Sequence, residues 1–293
     1  MENMQHHMDE EQFWATYDVN AFERPSVATD VVVLSMFEEQ NENHRKDSQA
    51  RLHLLLVKRG EHPYMNDWAL PGGFLRPTET VEECAVREIR EETNLSLSTL
   101  IPIGTFSEPE RDPRGRVISL SFASVINEKT AVMSGSDAIA TDWFTLDYEF
   151  VGDVIRFRLT NGEVTLSAEL IRTKTSYGHT LFKEVSNDGI AFDHDKIIAM
   201  AVMALRERLE EGEIAFAFLP ERFTLSALQR VYEMIGGAPL LTANFRRKTA
   251  HLVKETDDFT EGAGHRPARL FVKNDGTISS TKGDETKESA WKK

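Results

Sequence analysis

Residues 72–95, GGFLRPTETVEECAVREIREETNL, constrain the fold more than any other stretch. Val81, Ala85 and Ile89 recur at helical spacing, so this stretch forms an amphipathic helix. At roughly 100° per residue, with Val81 at zero, Ala85 and Ile89 fall near 40° and 80° and mark the buried side. Glu83, Arg87 and Arg90 fall at about 200°, 240° and 180°, the solvent side. Glu92 lies at about 20°, Glu88 at about −20° and Glu91 at about −80°. Two of the three glutamates share the buried arc and the third borders it. A solvated charged face would lie opposite the apolar one. Like charges four apart, such as Glu88 and Glu92, cost about 0.2–0.5 kcal/mol even when exposed. A bound cation reverses that sign. Clustered carboxylates are hard oxygen ligands, suited to Mg²⁺ or Mn²⁺ held jointly with substrate phosphates. On geometry alone an ion-paired surface helix stays open as the alternative.

At 293 residues there is room for two domains. No apolar run approaches the roughly 20 residues of a membrane helix, and the acidic start MENMQHHMDEEQF lacks a signal peptide's apolar segment. The single cysteine, Cys84, excludes an internal disulfide framework, fits a reducing cytoplasm and reads as a small packing residue. The net charge of −14 argues against general nucleic-acid affinity. It is unevenly spread: residues 221–273 hold nine Lys/Arg against six Asp/Glu, a net of +3, which leaves −17 for the rest. That asymmetry suggests two jobs on one chain.

Strands are expected at 28–37, 51–59 and 116–126, with a short one at 143–146. Asn161-Gly162, a preferred type I′ pair, sets a hairpin within 153–185. Residues 192–212 have helical periodicity, with Asp193 as N-cap and Gly212 as the stop. Two short helical patterns follow, FTLSALQRVYEMIGG and LTANFRRKTAHLV, then a strand at 268–273 and a polar tail expected to be disordered.

The spacing Gly73, Glu79, Arg87-Glu88, Glu91-Glu92 and Leu95 resembles the Nudix box, GX5EX7REUXEEXGU. The one departure is Asn94 where the family has glycine, and Asn is the next best residue for a left-handed helix end. The resemblance implies an α/β/α sandwich with a mixed sheet. It implies that Glu88, Glu91 and Glu92 bind Mg²⁺ (or Mn²⁺), often with the Gly73 carbonyl, that Arg87 orients a glutamate, and that Glu79 is the box's first acid. The implied reaction is hydrolysis of a pyrophosphate linkage. Downstream, FSEPERDPRGRVISLSF is a turn-rich loop bearing Arg111, Arg114 and Arg116, and arginine is the natural bidentate partner of phosphate. It resembles the segment after the box in ADP-ribose pyrophosphatases and their regulatory relatives, which puts ADP-ribose first among nucleoside diphosphate substrates. Asp137 and Asp142 are candidates for a base outside the box; relatives often carry a glutamate between them, where this chain has Ala140.

PERFTLSALQRVYEMIGGAPLLTANFRRKTAHLV resembles the winged helix-turn-helix of Nudix-related transcriptional regulators of NAD metabolism. By that resemblance the helix opening LTANFRRK enters a major groove of double-stranded DNA, with Asn244, Arg246, Arg247 and Lys248 facing it. Phe245 and Leu252 pack it against its neighbour. The expected organisation is a Nudix domain over 1–212, with 192–212 bridging onward, a winged helix domain over 213–275, and a tail at 276–293. A homodimer is expected, acting as a hydrolase or as a ligand-sensing regulator.

Overall fold

The computed structural model of the chain describes residues 9–38, 50–127, 138–260, 267–274 and 276. In chain order its elements are α1 (Glu10–Thr16), β1 (Ser26–Glu38), β2 (Ala50–Arg59), β3 (Trp68–Ala69), β4 (Gly72–Phe74), α2 (Val81–Thr93), β5 (Ile101–Phe106), β6 (Val117–Ile126), β7 (Ala138–Val151), β8 (Val154–Thr160), β9 (Thr165–Lys174), β10 (Thr180–Asp188), α3 (His194–Glu211), α4 (Ile214–Ala217), α5 (Leu225–Gly236), α6 (Thr242–Thr249), β11 (Val253–Phe259) and β12 (Arg269–Lys273).

Strands β1 to β10 form one mixed sheet in the order β10-β9-β8-β7-β2-β1-β6-β5, with β3 on β2 and β4 on β1. Only β1 and β6 run parallel. Strand β1 is central and covered on both faces, which is why Val31-Val32-Val33-Leu34 reads as a continuous apolar run rather than an alternating one. Helix α2 covers one face, where Ala85 and Ile89 pack on Val31, Val33, Leu55 and Trp143. Burying Ile89 contributes about 2–3 kcal/mol. Helix α3 covers the other face. The sandwich expected from the sequence is therefore present, and helices α4 to α6 with the β11–β12 wing follow as the winged helix. The wing ties back through paired backbone bonds between Phe223 and Phe271. The two parts share one core: Leu228, Tyr232 and Phe245 belong to the same buried cluster as Leu34 and Phe144.

Several local expectations shift. The strand at 143–146 runs from Ala138 to Val151. The hairpin after it stands, but its turn is not type I′: Gly162 alone has positive φ, and Asn161 instead accepts the N–H groups of Glu163 and Val164 on its side chain, within a four-residue loop. Gly212 ends α3 in the left-handed conformation as expected, φ 87. Asp193 sits at the N-cap position without capping, because its carboxylate is engaged elsewhere. The tail at 277–293 lies outside the described residues.

Candidate functional site

Helix α2 is positioned by a capping box: Thr80 accepts from the Glu83 N–H, and the Glu83 side chain accepts from the Thr80 N–H. It stops at Asn94, φ 58 and ψ 19, the left-handed end expected of that residue. Its inner edge faces the Gly72-Gly73 strand. A Cβ on Gly72 would lie 2.1 Å from the Thr29 carbonyl oxygen, so only glycine lets β4 pair with β1 there. A Cβ on Gly73 would lie 2.2 Å from Glu88 Oε1, so glycine also makes room for that carboxylate. The Gly72 N–H donates to Glu92 Oε2 at 3.0 Å. Glu88 is 15% exposed and Glu91 45%. Cys84 is fully buried, donating to the Gly73 carbonyl, and burial pushes its thiol pKa up.

Arg87 departs from its expected solvent position. It is 11% exposed, clamped on Glu79 at 2.6 and 2.9 Å, and it also donates to Glu88 at 2.7 Å and Glu91 at 3.2 Å. Helical angle fixes where a Cβ points, and a long side chain can fold back under its own helix. The Arg87 bonds hold the Glu79 carboxyl down at about 2. Among the described residues no three acidic, histidine or cysteine side chains converge as a ready metal cage. The donor set still fits a hard divalent cation: carboxylate oxygens of Glu88, Glu91 and Glu92 beside a backbone carbonyl. A cation there would compete with Arg87 for Glu88 and Glu91, while Glu79 would keep the arginine in place.

Arg111 is not presented to a phosphate. It is 4% exposed and bridges Asp193, at 2.7 and 3.0 Å, and Asp30, at 3.3 Å. Burial alone would lower its pKa, but Asp193 and Asp30 outweigh that and raise it. His194 closes the cluster. Its Nδ1 accepts the Leu70 N–H at 2.9 Å, which leaves Nε2 to donate to Asp30 Oδ1 at 3.4 Å. Ser119 also donates to Asp30. Burial pushes the Asp30 carboxyl up, yet His194, Arg111 and Ser119 together hold it at about 2.

The cation that faces the cleft was not singled out from sequence. Arg59 ends β2, lines the same cleft as Gly73, Glu92 and Arg114, and makes no ion pair among the described residues. Its guanidinium is held by the carbonyls of Pro63 and Glu61 and lies 4.8 Å over the Phe192 ring. Burial, then the neighbouring Arg114 cation, pushes its pKa down. Arg114 lies 5.5 Å from the same ring and 5.1 Å from that of Phe74, and is steadied by Asp112 at 2.7 Å. The place of Arg59 at the end of the apolar strand β2 gave no sign that it faces a cleft. Arg116 donates to the Ser107 carbonyl at 2.7 Å and does not line the cleft. Asp142 is occupied by Asn161 at 2.7 Å and by the Trp143 N–H at 2.8 Å. Asp137 lies outside the described residues. A larger depression of about 440 Å³ on β7–β9 holds Arg156 paired with Glu149 and Glu169, a solvated sheet face.

In the winged helix, α6 turns Phe245 and Thr249 inward, Phe245 against the Tyr232 ring at 5.4 Å. Arg246, Arg247 and Lys248 are exposed, with Arg247 3.5 Å from Asn244 Oδ1. Arg222 pairs with Asp258 and Arg269 with Glu255, whereas Arg246 and Arg247 make no ion pair among the described residues. Helix α6 thus presents exposed guanidinium groups at its surface.

Comparison with known proteins follows this division. A family model described as the NUDIX domain matches residues 28–155, and one described as the NrtR DNA-binding winged helix domain matches residues 215–272. The chain is 26% identical to the ADPR responsive transcriptional repressor NtrR of Acinetobacter baylyi, over 89% of this chain and 87% of that protein. It is 45% identical to an ADP-ribose pyrophosphatase of Methanocaldococcus jannaschii over 32% of this chain and 55% of that protein. A MutT/nudix family protein of Enterococcus faecalis superposes with a TM-score of 0.67 at 27% identity, covering 90% of this chain and 92% of that one.

Proposed function

Given that this chain joins a Nudix domain to a winged helix domain of the NrtR type, and is homologous to NrtR repressors and to ADP-ribose pyrophosphatases, we propose that its cleft binds ADP-ribose and hydrolyses it with a divalent cation. The observation that carries this reading is that Glu88 packs on Gly73 and Glu92 on Gly72, from a helix that also bears Glu91, while Arg59 and Arg114 line the same cleft as Gly73 and Glu92. The carboxylates suit a cation and the guanidiniums an anion, as a pyrophosphate diester requires.

Glu88, Glu91 and Glu92 would hold the metal, Mg²⁺ or Mn²⁺, with the Gly73 carbonyl. When bound, the ion neutralises the pyrophosphate and makes water more acidic. Arg87 orients the cluster through Glu79. Arg59 and Arg114 take the phosphoryl oxygens, and the exposed Phe74 offers ring surface to the planar base. Water adds to one phosphorus, the bridging P–O bond breaks, and the products are AMP and ribose 5-phosphate. With Asp142 engaged, the proton acceptor is a box glutamate or Asp137.

A second reading is favoured by a separate observation. The exposed, unpaired Arg246 and Arg247 suit phosphate contacts from a helix placed in a major groove, so the chain also acts as a DNA-binding regulator that senses the ligand. The two are compatible, since a slow hydrolase is a self-resetting sensor. Mg²⁺-dependent AMP release from ADP-ribose, compared in the parent and Glu92→Gln, tests the first. Turnover lost at least about 100-fold in the variant supports it. Equal turnover in both sinks the metal assignment, and ligand binding without turnover in the parent leaves the sensor alone.

A further inference from the structure

Helix α3 begins at the cleft and ends against Leu252, in the turn that follows α6. Phe192, two residues before α3, has a left-handed backbone, φ 55, and its ring carries Arg59 at 4.8 Å and Arg114 at 5.5 Å. Asp193 and His194 then join the helix start to the cleft floor through Arg111, Asp30 and the Leu70 N–H. At the far end, a Cβ on Gly212 would lie 2.8 Å from Leu252 Cδ1, in the turn that follows α6. Between these ends α3 packs on the sheet and on α5. Arg206 of α3 lies 4.6 Å over Phe150, while the Tyr148 hydroxyl donates to the Ile235 carbonyl at 2.7 Å, at the close of α5.

This rests on the reading of the cleft as the ADP-ribose site. We propose that α3 is the lever by which ligand in that cleft is communicated to the winged helix domain, with the Arg111–Asp193 pair as its latch. The helix is 18 residues, about 27 Å long, and rigid on that scale. A close-packed interface of this kind shifts as a body rather than absorbing movement. No flexible linker separates the parts, because their buried side chains form one cluster. An anionic ligand draws Arg59 and Arg114 toward it, and both stack on Phe192, the residue before Asp193. Asp193 holds its end of the helix through two charge-assisted bonds to a buried guanidinium instead of capping its own backbone. That arrangement costs a cap and gains a rigid link between cleft and helix. The ligand then moves the domain only insofar as it binds two positions of α3 unequally.

The test is hydrogen exchange of the full-length chain with and without ADP-ribose, run both with Mg²⁺ and with EDTA, alongside calorimetric binding. In the parent, ADP-ribose should change exchange in 194–212 and in 225–252. Asp193→Asn should bind ADP-ribose within about threefold of the parent yet lose the 225–252 response at least about fivefold. Asp193→Glu should recover part of it. Lys196→Ala, on the same turn but paired with Glu108 at the surface, should respond like the parent. An Asp193→Asn chain that binds ligand and keeps the full response overturns the latch, as does an equal loss in Lys196→Ala. A parent that binds ligand with no change in 225–252 overturns the lever. A parent that binds no ADP-ribose in either condition removes the ligand reading itself. If Asp193→Asn does not fold, Arg111→Lys serves as the weakened latch, with the same expected loss.

Discussion

Asp195 sits fully buried on the first turn of α3, its Oδ1 taken by the Lys196 N–H at 2.8 Å and its Oδ2 without a partner among the described residues. Burial, then the Glu184 carboxylate, raises its pKa to about 7. Between the unfolded value near 4 and that folded value, the native state keeps a proton that the unfolded chain has released. Stability therefore falls as pH rises through this window, by up to roughly 4 kcal/mol. Urea unfolding at pH 5 and pH 8 should show Asp195→Asn gaining on the parent at the higher pH; a constant gap between the two would contradict the assignment. Asp30 behaves oppositely. Its carboxyl is depressed to about 2, so its contribution of about 2 kcal/mol holds above pH 4 and is lost as pH falls toward 2. Arg59→Ala should weaken ADP-ribose binding by about 10- to 100-fold, the range for charge-assisted bonds, while leaving the fold intact. Unchanged affinity would move the anion site elsewhere. Neither Arg59 nor the burial of Arg111 was legible in sequence. The loop 106–122 shows three arginines but not which one folds inward, because that choice depends on Asp30 and Asp193, 81 and 82 residues away in sequence.

Helix α6 reaches its position by one side chain above all. Phe245→Ala should cost about 3–5 kcal/mol in unfolding free energy, as expected for a fully buried ring. Arg246→Ala with Arg247→Ala touches only the exposed face. It should leave the unfolding midpoint within about 0.5 kcal/mol of the parent and lower the slope of log affinity against log salt for duplex DNA by about 2. Binding to duplex DNA with a parental salt slope would mean that another surface meets the nucleic acid. Helix α2 was legible in its buried face, set by Ala85 and Ile89, and in its left-handed end at Asn94; the Thr80–Glu83 capping box that starts it emerged from the structure. Strand β11 was not, because VKETDDF alternates weakly and is exposed along most of its length. The Asn161-Gly162 pair marked a turn correctly and its type wrongly: the Asn side chain replaced backbone bonds that a two-residue turn would have made. Asp193 likewise marked the start of α3, but a buried cation outcompeted the helix's own N–H groups for its carboxylate.

At the scale of the whole chain, a basic segment of net +3, residues 221–273, holds α5, α6 and the β11–β12 wing and rides on a remainder of −17. That asymmetry was readable from composition; that the two parts share one core was not, because Leu228 and Phe245 look like any helix's apolar face until Leu34 and Phe144 are placed against them. Among the described residues no helix is long and apolar enough to cross a membrane. Hydrolysis and sensing make the same first demand, that ADP-ribose enter the cleft lined by Glu92 and Arg59. The most direct measurement is therefore a calorimetric titration of the full-length chain with ADP-ribose, with Mg²⁺ and with EDTA, beside Arg59→Ala. The account predicts saturable binding at one site per chain, weakened in the variant. No heat of binding at millimolar ligand, or equal affinity in both proteins, would contradict it.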